Sequence, residues 1–181
     1  MQKRFSIRDL SYISLFATLI AVSGYISIPL PFSTVPVTAQ TLAVMLAGSL
    51  LPVEHTAASI IVFLSMGAIG IPVFSGGTAG LGIIIGKTGG YLIGFLAGAV
   101  LISALKGKKA GFMRLLFVNA IGGILAVYAF GVIWLNYVTG IGISKAIIFG
   151  ALPFIPGDMV KIVVAALLSG RLSKHININN D

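Results

Sequence analysis

Long apolar runs recur along the chain, and each stops where proline, glycine or a cluster of basic residues interrupts it. The first run passes from Arg8 to Pro29 and Pro31. Later ones end at Pro52, at Pro72, at Lys106-Gly107-Lys108-Lys109 and around Pro153 and Pro156. A helix needs about 20 apolar residues to cross hydrocarbon, and proline punctuates helices. The pattern therefore predicts crossings over 8–28, 38–51, 56–72, 83–105, 113–138 and 156–172. The second run falls below the usual minimum of about 17 residues, so it either begins nearer Val35 or is re-entrant. Within the fourth, Gly86, Gly90, Gly94 and Gly98 recur at every fourth position. Small residues at that spacing let two helix backbones touch, so this face is expected against another helix.

Composition narrows the class. Of 181 residues, 57% are apolar and 9% charged, against about 25% charged in an ordinary soluble domain, which excludes a water-soluble globule. Six crossings consume about 120 residues and leave no room for a soluble catalytic or nucleotide-binding domain of about 100. The expected fold class is an all-α polytopic membrane protein, a six-transmembrane-helix bundle forming one membrane domain over 1–181. Lys3-Arg4 followed by the run from Leu10 to Ile28 has the outline of a signal peptide, but the run is long for one and is read as a retained first helix. The absence of cysteine excludes disulfides and thiolate metal sites.

The formal charge of +8 is read as topology signals and headgroup anchors rather than as a nucleic-acid surface. Lys3, Arg4 and Arg8 form one basic cluster, Lys106, Lys108, Lys109 and Arg114 a second, and Arg171 with Lys174 a third. Placing all three in the cytoplasm requires four crossings before residue 106 and two after it, so both termini are expected inside.

Three charges fall where lipid or its outer boundary is expected: Lys87, Asp158 and Lys161. A charge near the middle of a bilayer costs about 2.5–3.5 kcal/mol on insertion scales, so it must be paired, snorkelling or turned to a wet cavity. Asp158 and Lys161 are three apart and share a helical face, behind Pro156 and Gly157, which open the helix and place Asp158 in its first turn. Lys87 sits in Gly86-Lys87-Thr88-Gly89, which imitates a phosphate loop. Leu81 occupies the position that motif reserves for glycine, so ATP binding is not expected. With Ser33, Thr34, Thr38, Gln40 and Tyr91 on the same side, the outer half offers a pocket for a small anion with an amphipathic body. A carboxylate pairs with a lysine there, and an amide-like head donates to Asp158 and accepts from Lys161. His55 beside Glu54 is too little for a metal site, His175 lies far off in the tail, and no Gly-x-Ser-x-Gly nucleophile motif is present. Neither an enzyme, a cofactor nor a metal is expected.

Three stretches carry a resemblance: Gly67-Ala-Ile-Gly-Ile-Pro-Val-Phe74-Ser-Gly-Gly-Thr-Ala-Gly80, Gly86-Lys87-Thr-Gly-Gly-Tyr-Leu-Ile-Gly-Phe95 and Pro153-Phe-Ile-Pro-Gly-Asp-Met-Val-Lys161. In order and spacing the chain resembles the biotin-specific substrate-capture subunits of energy-coupling factor transporters. That resemblance implies a multi-pass subunit of a bacterial plasma membrane that captures biotin from outside. It hands the vitamin inward with a membrane scaffold subunit and two ATP-hydrolysing subunits. It also implies that Asp158 and Lys161 hold the ureido ring. Lys87, standing where the family has proline, is a further expectation as the carboxylate partner, and Tyr91, Gly77, Thr78 and Gln40 complete the expected substrate site. The family docks a small-residue motif of its first helix on the scaffold, which here implies Ala17 and Ala21. Two alternatives stay open: a partner-independent channel or facilitator for a small anionic or polar solute, and a capture subunit for a different vitamin.

Overall fold

A computed structural model describes residues 6–31, 33–107 and 110–173. Lys3, Arg4, Lys108, Lys109, Lys174 and His175 lie outside the described residues. The elements are α1 (Ile7–Ser23), a hairpin of β1 (Ser27–Ile28) and β2 (Val37–Thr38), then α2 (Gln40–Leu50), α3 (Val53–Ala68), α4 (Leu81–Ile85), α5 (Gly89–Lys106), α6 (Phe112–Asn119), α7 (Val127–Thr139), α8 (Ile143–Gly150) and α9 (Ile155–Leu172). A π-helical turn, Ala120–Ala126, joins α6 to α7. Gly89–Lys106 and the continuous stretch Phe112–Thr139 are each long and apolar enough to cross a membrane. The protein is a multi-pass helical membrane bundle.

A capping box starts α1: Ser6 N donates to Asp9 Oδ2 at 2.8 Å and Asp9 N to Ser6 Oγ at 3.2 Å. The helix stops at Ser23, before the expected limit of 28, because the chain turns at Gly24 into the hairpin that pairs Ile28 with Val37. Short α2 spans only about 16 Å at 1.5 Å per residue. It is buried along most of its length between α5 and α9, so neighbouring helices rather than lipid set how long it must be. At the Pro52 corner that follows, the final carbonyls of α2 lack intrahelical donors. Lys106 Nζ donates to Gly48 O at 3.0 Å and also to Leu51 O, while Ser103 Oγ reaches Leu51 O at 2.6 Å. Nearby, Asn119 Nδ2 donates to Ser49 Oγ at 2.9 Å.

The expected fourth crossing is broken. Residues 86–88 separate α4 from α5, and a Cβ at Gly89 would stand 1.7 Å from Ile84 O, so the break closes only around glycine. From there Gly90, Gly94 and Gly98 turn to the α7 side: added Cβ atoms would meet Trp134 Cβ at 2.2 Å, Val127 Cα at 2.9 Å and Gly122 O at 2.3 Å. At Gly86 an added Cβ would instead meet Gly82 O at 2.6 Å, and α7 reaches this residue through Trp134 Nε1, which donates to Gly86 O at 2.8 Å. The last crossing gains an unforeseen partner, for α8 and α9 form a pair bent by 55°.

Ala17 and Ala21, expected as a docking face, are 1% and 6% exposed and belong to the core with Phe16 and Ile20, where α1 packs on α2 and α3. Small residues four apart share a helix face, and in the single chain that face packs within the bundle. Asp9 and His55 join α1 to α3, with Oδ1 and Nε2 3.1 Å apart.

Candidate functional site

At the end of the bundle opposite Lys106 and Arg114, the hairpin, the loop through Phe74 and Thr78, α4, and the adjoining ends of α2, α5, α7 and α9 enclose a cavity of about 310 Å³. That volume sits at the lower end of small-molecule sites, about 300–1,000 Å³. Val35, Val37, Leu92, Phe95, Val127 and Phe154 make most of the wall apolar. Asp158 and Lys161 stand on one side of it.

Asp158 is 2% exposed, and a carboxylate so deeply buried needs a partner and hydrogen bonds to offset its lost hydration. Its placement in the first turn of α9 puts it at the positive end of the helix dipole. Lys161 Nζ lies 2.7 Å from Asp158 Oδ1, one turn along the same face. The ammonium also donates to Thr38 O at 2.7 Å and Thr41 Oγ1 at 2.9 Å, and the Thr41 hydroxyl donates to Asp158 Oδ1 at 3.1 Å. Tyr128 donates its phenol to Asp158 Oδ2. The pair is thus the centre of a five-residue network at the cavity edge, drawn from β2, α2, α7 and α9.

Tyr91 lines the chamber with its ring, while its hydroxyl donates to Gly150 O at 2.7 Å. Room for that ring comes from Gly131 and Gly150, where a Cβ would lie 2.3 Å and 2.4 Å from Tyr91 atoms. Gln40 also lines the chamber, and its amide ties α2 to the loop by donating to Val73 O at 3.2 Å. Thr78 contributes to the wall and donates to Ser75 O at 3.0 Å. Gly77 does not line it. With φ of +74° and the Tyr25 ring 3.1 Å from an added Cβ, Gly77 shapes the loop behind the wall. Lys87 lies at the break between α4 and α5, exposed, next to Thr88 of the lining but outside it.

Sequence reasoning missed Thr41 and Tyr128. Thr41 sits one residue after Gln40 and carries no charge to mark it. Tyr128 stands in a run of apolar residues where an aromatic reads as packing; the signal available was the Gly122-Gly123 pair, which marks a possible irregular turn just before it.

A solute-sized, mainly apolar chamber with one buried ion pair, set inside a helical membrane bundle, defines a membrane protein built to enclose a small amphipathic molecule. The sequence pattern of the BioY family matches residues 1–178. The chain belongs to the BioY family, a family of transporter proteins rather than enzymes. It is 42% identical to a biotin transporter of Rhizobium etli over 90% of this chain and 91% of that protein. It is 39% identical to a biotin transporter of Thermotoga maritima over 92% and 96%. A crystal structure of the S-component for biotin from an ECF-type ABC transporter superposes with a TM-score of 0.87 at 30% identity, covering 96% of this chain and 95% of that one.

Proposed function

We propose that this chain is a non-catalytic, high-affinity biotin-capture subunit of a vitamin uptake system. One observation carries the reading: the buried Asp158–Lys161 pair, bonded at 2.7 Å, stands at the wall of the chamber rather than sealed away from it. A ureido group complements it, because its N–H donates to the carboxylate while the Lys161 ammonium beside it holds that carboxylate in place. The apolar wall suits the fused rings and aliphatic tail, with Tyr91, Gln40 and Thr78 completing the site. The names borne by the relatives in Rhizobium etli and Thermotoga maritima support biotin over other vitamins.

Biotin enters from the outside on this reading. Six crossings leave both termini in the cytoplasm, and basic residues Arg8, Lys106, Arg114 and Arg171 face inward. Concentrative uptake needs an energy source. The imitation phosphate loop at Lys87 cannot supply one, so a membrane scaffold subunit and two ATP-hydrolysing subunits complete the machine. A reporter fused after residue 110 is expected to read as cytoplasmic; an external signal overturns this orientation.

Titration calorimetry on the purified chain is expected to show one biotin bound per chain, and mass spectrometry of the co-purifying small molecule to return biotin. A different vitamin in that fraction discards the specificity and keeps the architecture. Rapid biotin flux through vesicles containing this chain alone sinks the capture reading in favour of a facilitator.

A further inference from the structure

An ionised carboxylate offers about four acceptor positions, two on each oxygen. Among the described residues, three are filled at Asp158: Oδ1 accepts from Lys161 at 2.7 Å and from Thr41 at 3.1 Å, and Oδ2 accepts from Tyr128. The position left over is on Oδ2, the oxygen that Tyr128 holds. On the other partner nothing is left, because the three N–H bonds of the Lys161 ammonium go to Thr38 O, Thr41 Oγ1 and Asp158 Oδ1.

The direction of the Tyr128 phenol is fixed from several sides. Its ring meets Tyr91 edge-on at 6.4 Å and lies tilted on Phe154 at 6.4 Å. Tyr91 is itself anchored through its hydroxyl to Gly150 O. Just ahead of Val127 and Tyr128, the π turn Ala120–Ala126 spans one residue more in each hydrogen-bonded ring than an α-helix, which shifts the face of α7 that meets the chamber. Phenylalanine at this position would pack as well against Tyr91 and Phe154, so the packing alone does not account for the hydroxyl.

We propose that Tyr128 is a positioning residue: its phenol fixes the Asp158 carboxylate so that a single acceptor position faces the chamber and selects ligands bringing an N–H to it. The inference rests on the biotin reading for its probe. Lys161, Thr41, Tyr91 and Phe154 keep their places in the binding-competent chamber, and Tyr128 acts on the ligand through Asp158.

The test compares the full-length chain and Tyr128→Phe in detergent, using biotin and a biotin methylated on its ureido nitrogens. Loss of a hydrogen bond to a charged group is expected to weaken biotin by about tenfold or more. The methylated ligand, which brings no N–H, should change by less than about threefold, so the preference for biotin narrows. In an Asp158→Asn background, Tyr128→Phe should add little, since a residue acting through Asp158 loses its effect when the carboxylate is gone. Equal losses for both ligands, full additivity with Asp158→Asn, or a variant that melts before it can bind assign Tyr128 a purely structural part and overturn the proposal. Failure of the unmutated chain to bind biotin is a separate outcome, which removes the proposed function and this inference with it.

Discussion

Replacing Asp158 with alanine is expected to weaken biotin binding by a factor of about 100 or more, read by calorimetry on purified protein. The substitution removes the ligand's acceptor and strands the Lys161 ammonium, which is 17% exposed at its side chain. Removing one partner of a buried pair costs about 3–5 kcal/mol, and every 1.4 kcal/mol is about tenfold. Part of that cost falls on the fold, so the melting temperature should drop too. Removing both partners together, Asp158→Ala with Lys161→Ala, should restore much of the melting temperature without restoring affinity. Retention of wild-type affinity in Asp158→Ala would show that the ligand sits elsewhere.

Gly98→Leu is expected to be the most damaging substitution away from the chamber. A Cβ at residue 98 stands 2.3 Å from Gly122 O, a backbone atom that cannot swing aside, at the contact between α5 and the π turn. Overpacking of this kind costs about 1–3 kcal/mol or more. At about 2–4 °C per kcal/mol for a chain of this size, the upper figure lowers the melting temperature by about 6–12 °C. Ligand affinity should fall in parallel, since the π turn sets the direction of Tyr128. Gly82→Ala, where an added Cβ meets nothing, serves as the comparison, and equal melting temperatures for the two variants contradict the close-packing account.

The chemistry most legible in the sequence was the chemistry most costly to bury. Asp158 and Lys161 stand out because charges in an apolar run demand a reason, and three-residue spacing puts them on one face. The glycine stripe was legible for a similar reason, since small residues at every fourth position have few purposes in a lipid-facing helix. Orientation was harder to read. Ala17 and Ala21 carry the spacing of a docking motif, but spacing does not say whether the face meets its own bundle or another subunit. Lys87 follows the loop closely in sequence, and only the break at residues 86–88 shows that it stands exposed there. Apolar α8 falls between the last two expected crossings, and hydropathy alone does not register its 55° bend to α9. Tyr128 and Thr41 are uncharged, and their work becomes visible only when the partners from α7, α2 and α9 are seen to meet.

The Lys106 ammonium, by binding the last carbonyls of α2, clamps the far tip of α2 to the far tip of α5. About 27 Å of α5 and all of α2 are thus fastened together at the end away from the chamber, while Tyr91 and Thr41 at the other end are held by bonds of their own to Gly150 O and Asp158.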